Sequence, residues 1–159
     1  MTAGFAADCE LCALLAAGPD AGGEADSALV WSDGRIAVLL VDDAAYPGFC
    51  RVLWHGHVKE MTDLAPSERD ALMAVVWQVE GAVREVMAPD KVNLASLGNM
   101  VPHLHWHVIP RHADDAQFPA PVWAAVQRTT PSAMLAQRVA LLPRLRASLL
   151  KRLATIGAV

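Results

Sequence analysis

Three histidines in one short segment are the residues best suited to chemistry in this 159-residue chain. Residues 103–109 read His-Leu-His-Trp-His-Val-Ile, so His103, His105 and His107 alternate with apolar residues. Alternate side chains of a β-strand share one face, so the pattern predicts three imidazoles on one face and the apolar residues in the core behind them. Imidazoles titrate near neutrality, and adjacent protonated rings repel one another. Such a cluster indicates chemistry more often than a role in folding alone.

The spacing of the three histidines limits the chemistry that they can perform. At ~3.3 Å per residue His103 and His107 stand about 13 Å apart, and zinc binds nitrogen at ~2 Å, so one ion cannot bind all three rings. Neighbours ~6–7 Å apart suit phosphoryl or nucleotidyl transfer. In that reaction one neutral imidazole attacks phosphorus while the other protonates the departing oxygen or nitrogen. The preceding turn, Gly98-Asn99, is placed to aim backbone N–H groups and an amide at phosphate oxygens.

The sequence around the histidines predicts an antiparallel sheet. Asp33-Gly34 favours a tight hairpin turn, since both positions tolerate positive φ. A second turn is expected at residues 45–48, and residues 18–27 have the composition of a loop. The segments with strand-like composition are residues 28–32, 35–41, 49–55, 91–97 and 103–110.

Helices are expected on either side of the last two strands. Pro66 suits the first position of a helix that runs to about Met87, with apolar residues at helical spacing on one face. Residues 132–155 are expected to be helical, with Pro143 as a kink or a break. The sum is an α+β fold: an antiparallel sheet of about five strands, a main helix packed on it, and a C-terminal helical extension.

Three stretches of the chain resemble the histidine-triad (HIT) superfamily of nucleotide-binding proteins, and in particular its bacterial-type hydrolases. Residues 103–109 match the signature His-φ-His-φ-His-φ-φ, where φ is apolar, at every position. Residues 98–101 (Gly-Asn-Met-Val) stand where the family has Gly-Gln-Ser/Thr-Val. Residues 52–58 (Val-Leu-Trp-His-Gly-His-Val) resemble its Val-Ile-Pro-Lys-x-His-Ile. The resemblance covers about residues 9–115. It implies the HIT-like fold for a domain over residues 1–115, followed by a mostly helical, basic extension over residues 116–159.

The resemblance implies a role for each histidine. His105 matches the nucleophile that takes up the nucleoside monophosphate, and His107 matches the residue that contacts the scissile phosphate and the leaving group. His103 is the first member of this catalytic triad. Gly98 and Asn99 match the loop that binds phosphate.

Three other positions bear on the nucleotide. Met100 replaces a hydroxyl residue that helps many members to hold phosphate, and Phe49 stands where some members carry histidine. The ribose is usually held by an acidic or amide residue at the end of the second strand. Here Asp42 or Asp43 is the candidate.

Cys9-Glu-Leu-Cys12 is a second candidate site, although a lone Cys-x-x-Cys is weak evidence for a metal site. In zinc-carrying members of the family such a pair joins the histidine of the Lys-x-His-Ile stretch and the first triad histidine. The resemblance therefore implies a tetrahedral structural zinc on Cys9, Cys12, His57 and His103. Two buried thiols without a metal are the alternative, and both interpretations stay open. Catalysis by this triad requires no cofactor.

Composition and charge restrict the partners and the compartment. The chain is 54% hydrophobic, which favours extensive burial, and no apolar run approaches the ~18 residues of a membrane span. All acidic residues lie within residues 1–115, whereas the charged residues among residues 116–159 are all basic. Their density is low for nucleic-acid binding, so we expect this segment to dock on an acidic body, either that of its own chain or that of a partner subunit. Three cysteines and no basic residue before Arg35 favour the cytoplasm over secretion.

These observations predict a nucleotidyl hydrolase or transferase with a nucleotidyl-histidine intermediate. Adenosine phosphoramidates or dinucleoside polyphosphates would be its substrates. The alternative is a non-catalytic nucleotide sensor or scaffold, and a nucleic-acid processing factor ranks last. The family resemblance also implies a homodimer that joins two sheets, and the apolar content is compatible with it.

Overall fold

Five strands form one antiparallel sheet in the computed structural model of the chain, which describes residues 4–18 and 28–156. In chain order they are β1 (Leu29–Ser32), β2 (Ile36–Leu40), β3 (Cys50–Trp54), β4 (Lys91–Ala95) and β5 (His105–Arg111). Their order across the sheet is β1-β2-β3-β5-β4, so β1 and β4 are the edges. The predicted sheet is confirmed. The loop predicted over residues 18–27 lies, apart from Gly18, outside the described residues.

The two faces of the sheet carry different cores. On one face α2 (Pro66–Met87) packs against apolar residues of β3 and β5, such as Val52 and Val108. On the opposite face α1 (Glu10–Ala17) packs against β2 and β3 at Leu39 and Leu53. The apolar residues between the histidines lie on the α2 face, as predicted, which leaves His105 and His107 on the α1 face.

The strand that carries the histidines begins two residues later than the sequence predicts. β5 starts at His105, and His103 belongs to the segment that precedes it. Pro102 has no N–H to continue a ladder, and the N–H of His103 donates to the carbonyl of Val101 in a tight turn. On the neighbouring strand, β4 ends at Ala95 rather than at Leu97. The ladder stops there because the hydroxyl of Ser96 donates to the carbonyl of His105 and replaces a backbone partner.

The C-terminal segment folds back onto the domain. It forms α3 (Ser132–Val139) and α4 (Leu142–Leu153), and Pro143 lies in the first turn of α4, where its missing N–H costs nothing. The break that the sequence predicts at this proline is thus the boundary between α3 and α4. Leucines of α4 at four-residue spacing complete the α2 core: Leu145, Leu149 and Leu153.

Ion pairs join this segment to the acidic part of the chain. Arg138 lies 2.5 Å from Asp114, and Arg152 lies 2.7 Å from Glu85. The basic segment is therefore docked on an acidic body, as expected. Within residues 4–18 and 28–156, no helix is long and apolar enough to cross a membrane.

Candidate active site

His105 and His107 form a close pair on the α1 face of the sheet. Their Nε2 atoms lie 3.1 Å apart, and both side chains are buried, with 6% and 5% of their surface exposed. The two residues are two positions apart on one strand, so their backbones are separated along it. The two side chains lean toward each other, and the rings come into contact. A single phosphorus atom can therefore meet both imidazoles, as the spacing predicts.

Hydrogen bonds fix which nitrogen of each ring carries the proton. Nδ1 of His105 lies 2.5 Å from the carbonyl oxygen of His103, which can only accept, so Nδ1 is the donor. The Nε2 atom of His105 then carries a free lone pair. The contact between the two Nε2 atoms is a hydrogen bond only if His107 donates to His105. His105 is thus held in the tautomer whose Nε2 lone pair faces its neighbour, which is the form that can act as a nucleophile.

Burial keeps both rings neutral. Loss of water contact is the main cause that lowers the pKa of His105 below its ordinary value. The pKa of His107 is lowered to about 4, first by burial and then by the repulsion that a protonated His107 would meet from a protonated His105 and from Arg51. A neutral imidazole is the form that attacks phosphorus.

His103 points to a different cluster from the other two histidines. Its Nε2 lies 2.7 Å from the carbonyl oxygen of Trp54, so Nδ1 carries the lone pair. That Nδ1 faces the sulfurs of Cys9 at 3.5 Å and Cys12 at 3.4 Å. Nδ1 of His57 lies 3.5 Å from the sulfur of Cys12. All four donor atoms lie within 4.8 Å of one another.

The donor set of this cluster fits a tetrahedral zinc site. With Zn–S of ~2.3 Å and Zn–N of ~2.05 Å, tetrahedral angles put sulfur and nitrogen about 3.5 Å apart, which matches the contacts above. The second nitrogen of His103 is bonded to a carbonyl, as metal-binding histidines usually are. Burial raises the pKa of the Cys12 thiol, so a cation is what would favour its thiolate. The ring of His103 lies in this cluster while its carbonyl orients His105.

Arg51, Phe49 and Trp123 surround His107, and of these only Phe49 stands at a position that the family resemblance singles out. Arg51 is its partner in the β3–β5 ladder. The rings of Phe49 and Trp123 approach the His107 ring, with centroids 5.3 and 5.4 Å away. Sequence spacing could have found Arg51, because it alternates with Leu53 on the same face of β3. Trp123 lies in the C-terminal segment, far from any motif.

Buried polar contacts bring the Trp123 segment to the site. Nε of Arg111 lies 3.1 Å from a carboxylate oxygen of Asp115, and both side chains are almost fully buried. Arg111 also donates to the carbonyl of Ala120, and Arg128 donates to the carbonyl of Asp115. The chain from residue 112 to residue 128 is thus tied to the end of β5.

The predicted phosphate loop lies between β4 and His103. Gly98 has a φ of +103°, a conformation that residues with a side chain rarely adopt, so glycine is needed there. Asn99 is exposed, and Met100 is 96% exposed. Among the contacts of the described residues, none joins the Asn99 amide to the histidines, and its role stays a prediction.

Asp42 and Asp43 follow β2, as predicted for ribose-binding residues. They line a groove shared with Val139 and Leu142 of the C-terminal segment. A carboxylate oxygen of Asp43 accepts from the N–H of Ala45, which stabilises the turn. No contact within residues 28–156 connects either carboxylate to the histidine pair. Their role in binding ribose therefore also stays a prediction.

The fold and the site define a class of protein: a small α+β domain that presents a buried histidine pair on one face of its sheet. Residues 22–114 match the HIT domain family, and the chain belongs to that family.

Solved structures and curated relatives agree with this assignment. A histidine triad protein from Bradyrhizobium japonicum is 29% identical, with a TM-score of 0.59 over 77% of this chain and 93% of that one. One from Marinobacter aquaeolei VT8 is 28% identical, with a TM-score of 0.61 over 79% and 93%. AP-4-A phosphorylase of Mycobacterium tuberculosis is 29% identical over 58% of this chain and 51% of its own length. The asymmetrical bis(5'-nucleosyl)-tetraphosphatase of Schizosaccharomyces pombe is 32% identical over 43% and 41%. The chain thus spans about half the length, or less, of the curated relatives it matches.

Proposed function

We propose that the chain is a nucleotidyl hydrolase or transferase that works through a nucleotidyl-histidine on His105. The observation that carries the proposal is the hydrogen bond from His105 Nδ1 to the His103 carbonyl. It leaves Nε2 as the unprotonated nitrogen, with its lone pair directed at His107. Dinucleoside polyphosphates and adenosine phosphoramidates are the proposed substrates. The names of the two curated relatives support the first of these classes.

The proposed reaction has two displacements at the α-phosphorus. In the first, Nε2 of His105 forms a bond to phosphorus, and the bond to the leaving oxygen or nitrogen breaks. In the second, water attacks the phosphorus and releases the nucleoside monophosphate and His105. A fixed tautomer and a buried position reduce the reorganisation that the attack requires.

His107 serves the leaving group in this scheme. In the free protein the Nε2–H group of His107 faces His105. In the reaction this N–H group donates its hydrogen to the departing atom. A bound phosphate anion raises the pKa of a nearby imidazole, so substrate binding brings His107 closer to the pKa that an acid needs. An amine must gain a proton to leave, whereas fluoride need not.

A panel of substrates tests this division of roles. His105→Ala should lose about 10⁴-fold or more in turnover of every substrate. His107→Ala should lose about 10²–10⁴-fold with an adenosine phosphoramidate and far less with an adenosine fluorophosphate. His55→Asn is the matched control, since His55 bonds Ser32 at the surface.

Two results would count against the proposal. Equal losses for His107→Ala across good and poor leaving groups would reject its role as an acid. Tight nucleotide binding by the wild-type protein without turnover of any substrate would favour the sensor or scaffold.

We also propose a structural zinc on Cys9, Cys12, His57 and His103. The support is the donor geometry: four donor atoms lie within 4.8 Å of one another. Zinc here would hold α1 to the segment before β5 and fix the His103 carbonyl that orients His105. All four positions would be protein ligands, so the metal would stabilise the fold without binding substrate. Reduced thiols suit the cytoplasm, where we expect the protein to act.

A homodimer is the remaining proposal about partners. β4 is an edge strand, and apolar side chains on it and after it are exposed: Leu94, Leu97 and Met100. Pairing of two β4 edges would cover these side chains and join the two sheets.

A further inference from the structure

Arg51 is a half-buried cation beside the histidine pair that the two-histidine scheme does not use. It lies on β3 directly opposite His107, while Leu53 lies opposite His105. Directly opposed residues of antiparallel strands have Cβ atoms about 5 Å apart. Its guanidinium carbon is 5.8 Å from the centre of the Phe49 ring, which itself contacts His107. The charge of Arg51 therefore lies on the His107 side of the pair.

Part of the hydrogen-bonding capacity of Arg51 is not used within the described part of the chain. Its Nε is buried and has no hydrogen-bond partner among the described residues. Within residues 4–18 and 28–156, no carboxylate pairs with its guanidinium. The neighbouring Nδ1 of His107 is also buried, and no described residue bonds to it. A buried N–H group without a partner is costly, and functional sites are where such groups persist.

We propose that Arg51 binds the phosphate oxygens of the leaving group, so that the chain prefers substrates whose leaving group is a nucleoside oligophosphate over those that release an amine. This rests on the proposed function and names its substrate class. Arginine suits such a ligand because its planar fork binds phosphate oxygens through two N–H groups.

Charge development in the reaction explains the preference. Nε2 of His105 bonds to the α-phosphorus, the bond to the bridging oxygen breaks, and that oxygen departs with the electron pair. The leaving oligophosphate then carries one more negative charge, which Arg51 stabilises without a proton transfer. An amine leaving group develops no such anion and depends on the hydrogen of His107 instead. Arg51 and His107 would thus serve different leaving groups.

Kinetics with two substrates test the inference. Arg51→Gln should lower kcat/KM for diadenosine tetraphosphate by about 10²-fold, as loss of one donor to a developing anion does. For adenosine 5′-phosphoramidate we expect a loss below about 3-fold. Arg51→Lys keeps the charge and should fall between wild type and Arg51→Gln. Arg84→Gln, on the exposed side of α2 across the sheet, is the matched control and should leave both substrates unchanged.

The outcomes separate this inference from the proposed function. Equal losses on both substrates, or no loss on either, would overturn the leaving-group role while the histidine chemistry stands. If the wild-type protein turns over neither substrate, the proposed function fails. In that case calorimetry with inorganic pyrophosphate still tests whether Arg51 binds phosphate oxygens, because it measures binding without turnover. Arg51→Gln should weaken pyrophosphate binding at least about 10-fold relative to Arg84→Gln, and equal binding would refute it.

Discussion

His107 is buried as a neutral imidazole, so replacing it with asparagine should remove a defined part of the protein's sensitivity to acid. Burial, aided by the charges of His105 and Arg51, lowers its pKa from 6.5 to about 4. The unfolded chain therefore binds a proton on this ring at higher pH than the folded protein does. The stability linked to neutral His107 is complete above pH ~6.5 and is lost as the pH falls toward 4. At ~1.36 kcal/mol per unit, that loss is about 3 kcal/mol.

Urea unfolding at a series of pH values measures this effect. Between pH 7.5 and 4.5 the free energy of unfolding of His107→Asn should fall by about 2–3 kcal/mol less than that of the wild-type protein. The difference between the two proteins cancels the acid sensitivity of groups that do not interact with His107, including any bound metal. His55→Asn controls for the loss of a histidine at the surface. Parallel curves for His107→Asn and wild type would show that His107 is not held neutral by burial, and the reasoning would be refuted.

Metal content and oligomeric state give two further predictions. Cys12→Ala should reduce bound zinc from about one equivalent to near zero by elemental analysis and lower stability more than activity. The control is Cys50→Ala, which removes a buried thiol whose pKa burial raises to about 12, and this variant should keep its zinc. Wild-type protein without zinc would contradict the proposed zinc site. Leu97→Glu should convert the dimer to a monomer in a sedimentation experiment. Leu150→Glu, on the exposed side of α4, should leave the dimer intact. A monomeric wild-type protein would rule out the dimer.

Local signals made the sheet, the main helix and the histidine pair predictable. Alternation of polar and apolar residues fixes which face of β5 carries His105 and His107, because the side-chain period of a strand is two. Pro66 and Glu68 mark the start of α2, where the Glu68 carboxylate accepts from the N–H of Ala65.

Long-range contacts account for what the sequence did not predict. Residues 10–17 are apolar almost all round, so they lack the periodicity that indicates a helix, and α1 forms by packing on the sheet. Trp123 lies against His107 in a segment that the buried Arg111–Asp115 pair helps to hold, and no local pattern encodes that contact. Arg51 carried no motif, and its place beside His107 follows from strand register.

The covalent intermediate on His105 is the central claim, and mass spectrometry of the acid-sensitive adduct after rapid quenching in base tests it most directly. The wild-type protein mixed with diadenosine tetraphosphate should carry one nucleotidyl group per chain in the first turnover. Fragmentation should place that group on His105 and on neither His103 nor His107. His105→Ala should carry no label and show no turnover. Undiminished turnover by His105→Ala, or a nucleotidyl group on another residue, would contradict the account.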